Sequence, residues 1–139
     1  MKVEIRIEGN PRISQSTHYT RGGKEYQPAV IAENERLLKA ALVNRLPYNF
    51  TPLKGNVRIL KLHFVFQPPY SFNSREREKI ESGEIIEKNL KPALKECFNS
   101  LIKAMCGTII GCEAQISGVD DLRKYYSGNP CIILSIEEF

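Results

Sequence analysis

The chain has no C-x-x-C pair, no phosphate-cradling P-loop, no G-x-S-x-G elbow and no D-x-D carboxylate pair. These absences remove the familiar signatures of zinc ribbons, nucleotide hydrolases and serine hydrolases. The four cysteines, Cys97, Cys106, Cys112 and Cys131, lie far in sequence from both histidines, His18 and His63, so no zinc site is expected. No apolar run approaches the ~20 residues that a membrane span needs. The opening MKVEIRIEG has no apolar h-region, so no signal peptide is expected either. Together these features predict a cytoplasmic protein with free thiols. Cys97 and Cys131 fall in apolar runs and are expected in the core.

What is present is an ordinary globular composition. The 139 residues are 42% hydrophobic and 26% charged, with a formal net charge of +4 and a pI near 8.9. That length fits one domain, residues 1–139, with one hydrophobic core. The mild basicity is compatible with a polyanionic partner without requiring one.

The hydrophobic pattern predicts the elements. Val3, Ile5 and Ile7 alternate with charges, which predicts a half-buried strand over Lys2–Glu8. A polar loop, Gly9–Gln27, leads to a helix opened by Pro28, and Pro47–Asn56 breaks that helix. Val57–Phe66 predicts a strand with one ambiguity at Leu60–Leu62, and His63 is expected on its solvated side. Asn73 with Glu76 predicts a capping box for a short charged helix ending at Gly83. Leu94, Cys97, Phe98, Leu101, Ile102 and Met105 form one stripe of a helix over Pro92–Met105, with Gly107 as its C-terminal cap. A short strand, Thr108–Ile110, is then expected, followed by a hairpin with arms Ile116–Tyr126 and Cys131–Glu137 around Ser127–Pro130. The expected fold class is α+β, a small mixed β-sheet with helices packed on one side.

Lys91, Lys95, Asn99 and Lys103 are spaced four apart and align on one side of the helix from Pro92. Such a row is either a solvated face or a stripe facing phosphates, which supply most non-specific DNA affinity. Arg12, Arg21 and Lys24, interleaved with Tyr19 and Tyr26, add a basic, aromatic loop suited to a nucleic-acid backbone. The acids Glu84, Glu87, Glu96, Glu113, Asp120 and Asp121 are scattered and name no reaction on their own.

Several stretches, in order, resemble the RusA-type Holliday-junction resolvases. Gly9-x-Pro11 after the first strand resembles the family's I-x-G-x-P, and Thr20 to Pro28 its T-R-x-G-x-x-Y-x-P run. Pro69 and Ser71, then Ser74–Lys79 and Gly83-Glu84-Ile85, resemble its P-x-S, basic and G-E-I segment. Lys91-Pro92, Gly107, Gln115-Ile116 and Lys124-x-Tyr126 follow near the family's spacing. The resemblance implies a RusA-like fold, a homodimer, Mg²⁺ held by paired aspartates, and DNA, including four-way junctions, as partner.

The family's K-P-D-x-D-N-L-x-K, D-A-L-N-G and D-D-x-Q-I motifs are nevertheless altered. Their positions read Ala93, Lys95, Glu96 and Asn99, then Lys103, then Cys112-Glu113, so only Glu113 keeps a carboxylate in place. The family's basic K-x-R-P-R stretch is replaced at Ser14, Ser16, Thr17 and His18. Two lysines where aspartates belong repel a divalent cation and favour an anion. The expectation is therefore a catalytically impaired, prophage-type relative that binds DNA through Arg12, Arg21, Lys24, Lys91, Lys95, Lys103 and Lys124, with no cofactor. One alternative is an active Mg²⁺-dependent endonuclease with relocated carboxylates, Glu96 and Glu113 as catalytic groups, and Asp120 and Asp121 as further metal ligands. The other is a dimerisation or interaction module with no nucleic-acid role.

Overall fold

A computed structural model describes residues 1–13, 18–19, 25–26 and 29–139. Strand β1 (Lys2–Glu8) is followed by two short strands, β2 (His18–Tyr19) and β3 (Glu25–Tyr26), then helix α1 (Ala29–Asn44). Strand β4 (Val57–Phe66), helix α2 (Ser74–Glu81), strand β5 (Ile86–Glu87) and helix α3 (Leu94–Met105) come next. A 3-10 turn (Glu113–Gln115) leads into β6 (Ile116–Val119), β7 (Leu122–Tyr126) and β8 (Cys131–Glu138). The expected loop over Gly9–Gln27 thus contains a small ribbon, with His18 opposite Tyr26 and Tyr19 opposite Glu25.

The fold is α+β, built on a mixed six-stranded sheet. Its path runs β1-β8-β4-β7-β5, and β6 also pairs with β4. β8 is antiparallel to both β1 and β4, whereas β6 and β7 run parallel to β4. The hairpin expected from Ile116–Tyr126 and Cys131–Glu137 is therefore overturned, because β4 lies between its two arms. The cause is visible in β4 itself. Leu62, His63, Phe64, Val65 and Phe66 are all buried, so this stretch takes strand partners on both edges. The chain leaving β7 passes the end of β4, where the Ser127 N–H donates to the Phe66 carbonyl at 3.2 Å, before returning as β8.

The ambiguity at Leu60–Leu62 is a β-bulge. Ile59 pairs with Ile136 and Lys61 with Ser135, which leaves Leu60 as the extra residue. The extra residue keeps Val57 and Ile59 on the same face as Leu62, Phe64 and Phe66. These side chains share one core with Leu38 and Leu42 of α1 and with Cys97, Leu101 and Met105 of α3. Each fully buried aliphatic side chain contributes about 1.5–3 kcal/mol. The two helices thus cover one face of the sheet, while α2 packs beside β5 with no buried residue.

The capping box of α2 forms as the sequence predicts, with the Glu76 N–H donating to Asn73 Oδ1 at 2.8 Å. Gly107, at φ 88°, follows the Cys106 C-cap of α3 in the left-handed region that favours glycine. No strand forms over 108–110. Instead the Thr108 hydroxyl donates to the Ala104 carbonyl at 2.7 Å, and the N–H groups of Thr108, Ile109 and Ile110 turn back onto the Met105 carbonyl. No helix among the described residues is long and apolar enough to cross a membrane.

Candidate functional site

A cleft of about 860 Å³ opens where the end of β4, the end of β7 and the segment before α3 meet. Its walls include Phe66, Pro69, Leu90, Pro92 and Tyr126. Among the described residues, its lining cations are Arg12, Lys88 and Lys91, and its one lining carboxylate is Glu96. The segment carrying Arg12 is fastened by the Gly9 N–H on the Pro130 carbonyl at 3.0 Å and by Asn10 Oδ1, which accepts from the Gln67 N–H at 2.8 Å.

Lys88 is the cation most firmly built into the cleft. Its ammonium lies 5.0 Å from the Phe66 ring centroid and 4.8 Å from that of Tyr126. It also donates to the Tyr126 hydroxyl at 3.0 Å. Cation–π contacts of this kind are worth about 0.5–2 kcal/mol, so the charge is held at the cleft rather than sampling solvent. Nothing in the sequence singles out Lys88 beyond its place three residues before Lys91; its setting depends on two strand ends meeting.

Lys124, expected from the sequence to contact DNA, is engaged by the protein's own backbone. Its ammonium donates to the carbonyls of Leu90 at 2.9 Å and Pro92 at 2.8 Å. Two of its three donors thus brace the cleft-lining segment against β7. Lys91, Lys95, Asn99 and Lys103 are all exposed, as the four-residue spacing predicts, but only Lys91 lines the cleft. Lys103 lies 4.0 Å from Glu35 of α1, an exposed contact of little energetic weight. Arg21 and Lys24 lie outside the described residues.

The candidate acids do not converge. Glu96 sits in the first turn of α3 and Glu113 in the 3-10 turn beyond that helix's C-terminus. At ~1.5 Å rise per residue, the twelve residues of α3 span about 18 Å. Asp120 and Asp121 join β6 to β7 beside the middle of β4, with the Asp120 N–H on the Ile59 carbonyl and the Asp121 carbonyl accepting from Leu62. Asp120 lies 3.9 Å from Arg58. Among the described residues, no group of three or more His, Cys, Asp or Glu is placed to hold a metal ion. Mg²⁺ requires several converging anionic oxygens, and a cleft whose described lining offers Arg12, Lys88, Lys91 and a single carboxylate does not fit it.

Asp121 is instead one end of a largely buried hydrogen-bonded chain that no local sequence pattern reveals. His63 is 7% exposed, contrary to its expected solvated position. Its Nε2 is 2.7 Å from Asp121 Oδ2 and its Nδ1 is 3.1 Å from the Tyr125 hydroxyl. With Asp121 as a carboxylate, Nε2 donates, and neutral imidazole then accepts the Tyr125 proton at Nδ1. Arg123 lies 5.0 Å from the Tyr125 ring centroid and pairs with Glu87. The arrangement has the order of a nucleophilic triad, but burial pushes the Tyr125 phenol above its usual range, which disfavours a phenolate nucleophile. It serves as a hydrogen-bonded support for the sheet face that the helices leave uncovered, beside the small apolar cluster of Val65, Tyr125 and Cys131. The alternation of apolar and polar residues along β4 hid it, because the polar side of a strand reads as solvated.

Two thiols also stand where the sequence places them, since Cys97 and Cys131 are buried. Burial pushes the Cys97 thiol up to about 11. No protein-family model matches the chain, and no curated protein matches it.

Proposed function

We propose that the chain is a RusA-like, cytoplasmic DNA-binding protein of the recombination type that has lost metal-dependent strand cleavage. The observation that supports this reading is the cleft at the head of α3, where, among the described residues, Arg12, Lys88 and Lys91 accompany Glu96 as the only lining carboxylate. Such a site attracts a phosphodiester where a magnesium site would need the opposite charge. The cleft also adjoins the first turn of α3, whose Ala93 N-cap makes no side-chain hydrogen bond. The helix dipole there adds to the attraction for an anion. A homodimer, which the resemblance implies, is part of the proposal and is checked by sedimentation equilibrium.

The test is a synthetic four-way junction titrated with the full chain across a NaCl series, with parallel incubations in Mg²⁺ and Mn²⁺. Three phosphate contacts per protomer give a log–log salt slope of about −3. The expected result is junction binding with that steep salt dependence and no strand scission. Robust cutting at low protein concentration, or no binding to DNA at low salt, overturns the proposal. The relocated-carboxylate alternative draws no support from the geometry, because Glu96 and Glu113 lie at opposite ends of α3.

A further inference from the structure

We infer that Tyr70 is a stacking platform for an unpaired nucleotide base at the lip of the cationic cleft. The inference rests on the nucleic-acid reading above and adds to it a class of ligand. Tyr70 lies in the connection between β4 and α2, next to Pro69, which lines the cleft. Its residue is 93% exposed. The backbone there is fastened from several sides.

The Arg77 guanidinium reaches back from α2 and donates to the Tyr70 carbonyl at 2.7 Å and the Phe72 carbonyl at 3.0 Å. The Phe72 N–H closes a turn onto the Pro69 carbonyl at 3.2 Å. The Phe72 ring packs edge-on against Tyr126, with centroids 5.1 Å apart and planes at 81°. Tyr126 is the same ring that holds Lys88. The loop is thus tied to the cation site on one side and to the capped start of α2 on the other, while the Tyr70 side chain stays open to solvent. A fixed backbone lowers the entropy cost of stacking a ligand on that ring.

The neighbouring chemistry selects the occupant. Arg12, Lys88 and Lys91 supply cations for a phosphate backbone, and Leu90, itself 61% exposed, supplies an apolar surface on the same cleft. Aromatic faces alternating with cations bind single strands without regard to sequence, since every base has a π-face. A base inside a duplex is already stacked on both sides, so the platform favours unpaired positions, such as those at a strand end or a branch point. Tyr48 provides an internal contrast: it is also fully exposed but lies in the Pro47–Phe50 turn, whose Pro47, Asn49 and Phe50 line a separate hollow with Met1 and Glu138.

The test uses the full chain with a single-stranded oligonucleotide carrying 2-aminopurine and with the matched duplex, read by anisotropy and by quenching of the probe. Wild type quenches the unpaired probe. Tyr70→Ala binds the single strand about ten-fold more weakly, and duplex affinity stays within about two-fold. Tyr70→Trp restores both binding and quenching, and Tyr48→Ala changes neither. Unchanged single-strand affinity in Tyr70→Ala, or an equal loss on duplex, overturns the platform. If Lys91→Gln weakens both ligands while Tyr70→Ala weakens neither, the platform fails and the DNA-binding reading stands. If wild type binds no oligonucleotide at low salt, both fall together.

Discussion

The two ends of β4 use polar side chains in opposite ways. At the Val57 end, polar groups are consumed by backbone. Gln115 Oε1 accepts from the N–H groups of Gly111 at 2.7 Å and Cys112 at 2.9 Å, and its Nε2 donates to the carbonyls of Leu53 at 2.7 Å and Gly55 at 2.9 Å. Glu138 Oε2 completes this knot by accepting from the N–H groups of Lys54 and Gly55 at 3.1 and 3.0 Å. At the Phe66 end, Lys88 is held by aromatic faces and one hydroxyl, and Lys91 is exposed in the cleft. A polar side chain with every hydrogen-bonding position filled by its own backbone is architecture. One positioned mainly by apolar contacts keeps capacity for a ligand. By this criterion Gln115, part of the stretch that resembles the resolvase motif, is a structural bracket, and the surface proposed to bind DNA lies at the other end of the strand.

The largest expected effect tests the bracket. Gln115→Ala removes four hydrogen bonds and leaves two part-buried carbonyls unsatisfied, at about 3 kcal/mol in all. Urea unfolding measures it, and the junction affinity of the folded variant should match wild type. A variant that keeps its stability, or loses binding while remaining folded, would break the division between the two ends. Lys124→Met comes next, because it removes the strut under Leu90 and Pro92. The expected cost is about 2 kcal/mol, the range for hydrogen bonds from a charged donor. Unlike Gln115→Ala, it should also weaken DNA binding, since the cleft-lining segment loses its brace.

How much of this was legible in the sequence follows from which interactions are local. The bounds of Lys2–Glu8 and Val57–Phe66 follow from alternation and flanking breakers, and the Asn73–Glu76 box follows from spacing alone. The doubtful Leu60–Leu62 step was a true irregularity, a bulge. The hairpin expectation failed because adjacency in sequence favoured pairing β7 with β8, whereas the buried run of β4 claims both as partners. His63 failed for a related reason: Asp121 and Tyr125, 58 and 62 residues away, close over it. Within the site, Lys91 was visible through its four-residue spacing from Lys95 and its place beside Pro92, although α3 begins only at Leu94. Lys88 and Tyr70 were not, since their setting exists only once Phe66 and Tyr126 are side by side.

The smallest expected effect is the sharpest on chemistry. Glu113 is the one acid that keeps a carboxylate where the resolvase pattern has one, so a nuclease built on that pattern would depend on it. The structure puts Glu113 in the exposed turn beside the Gln115 bracket, away from the cationic cleft. Glu113→Gln removes one exposed charge and leaves the Gln115 bonds to Leu53, Gly55, Gly111 and Cys112 in place, so stability should move by less than about 0.5 kcal/mol. Junction affinity and its salt slope should also be unchanged, because the proposed phosphate contacts of Arg12, Lys88 and Lys91 lie at the other end of β4. A fall in Mn²⁺ binding measured by calorimetry, or loss of a strand-cutting activity present in wild type, would place a metal at the Val57 end. The two ends would then exchange roles, with the cleft reduced to a grip on DNA and the bracket carrying the reaction.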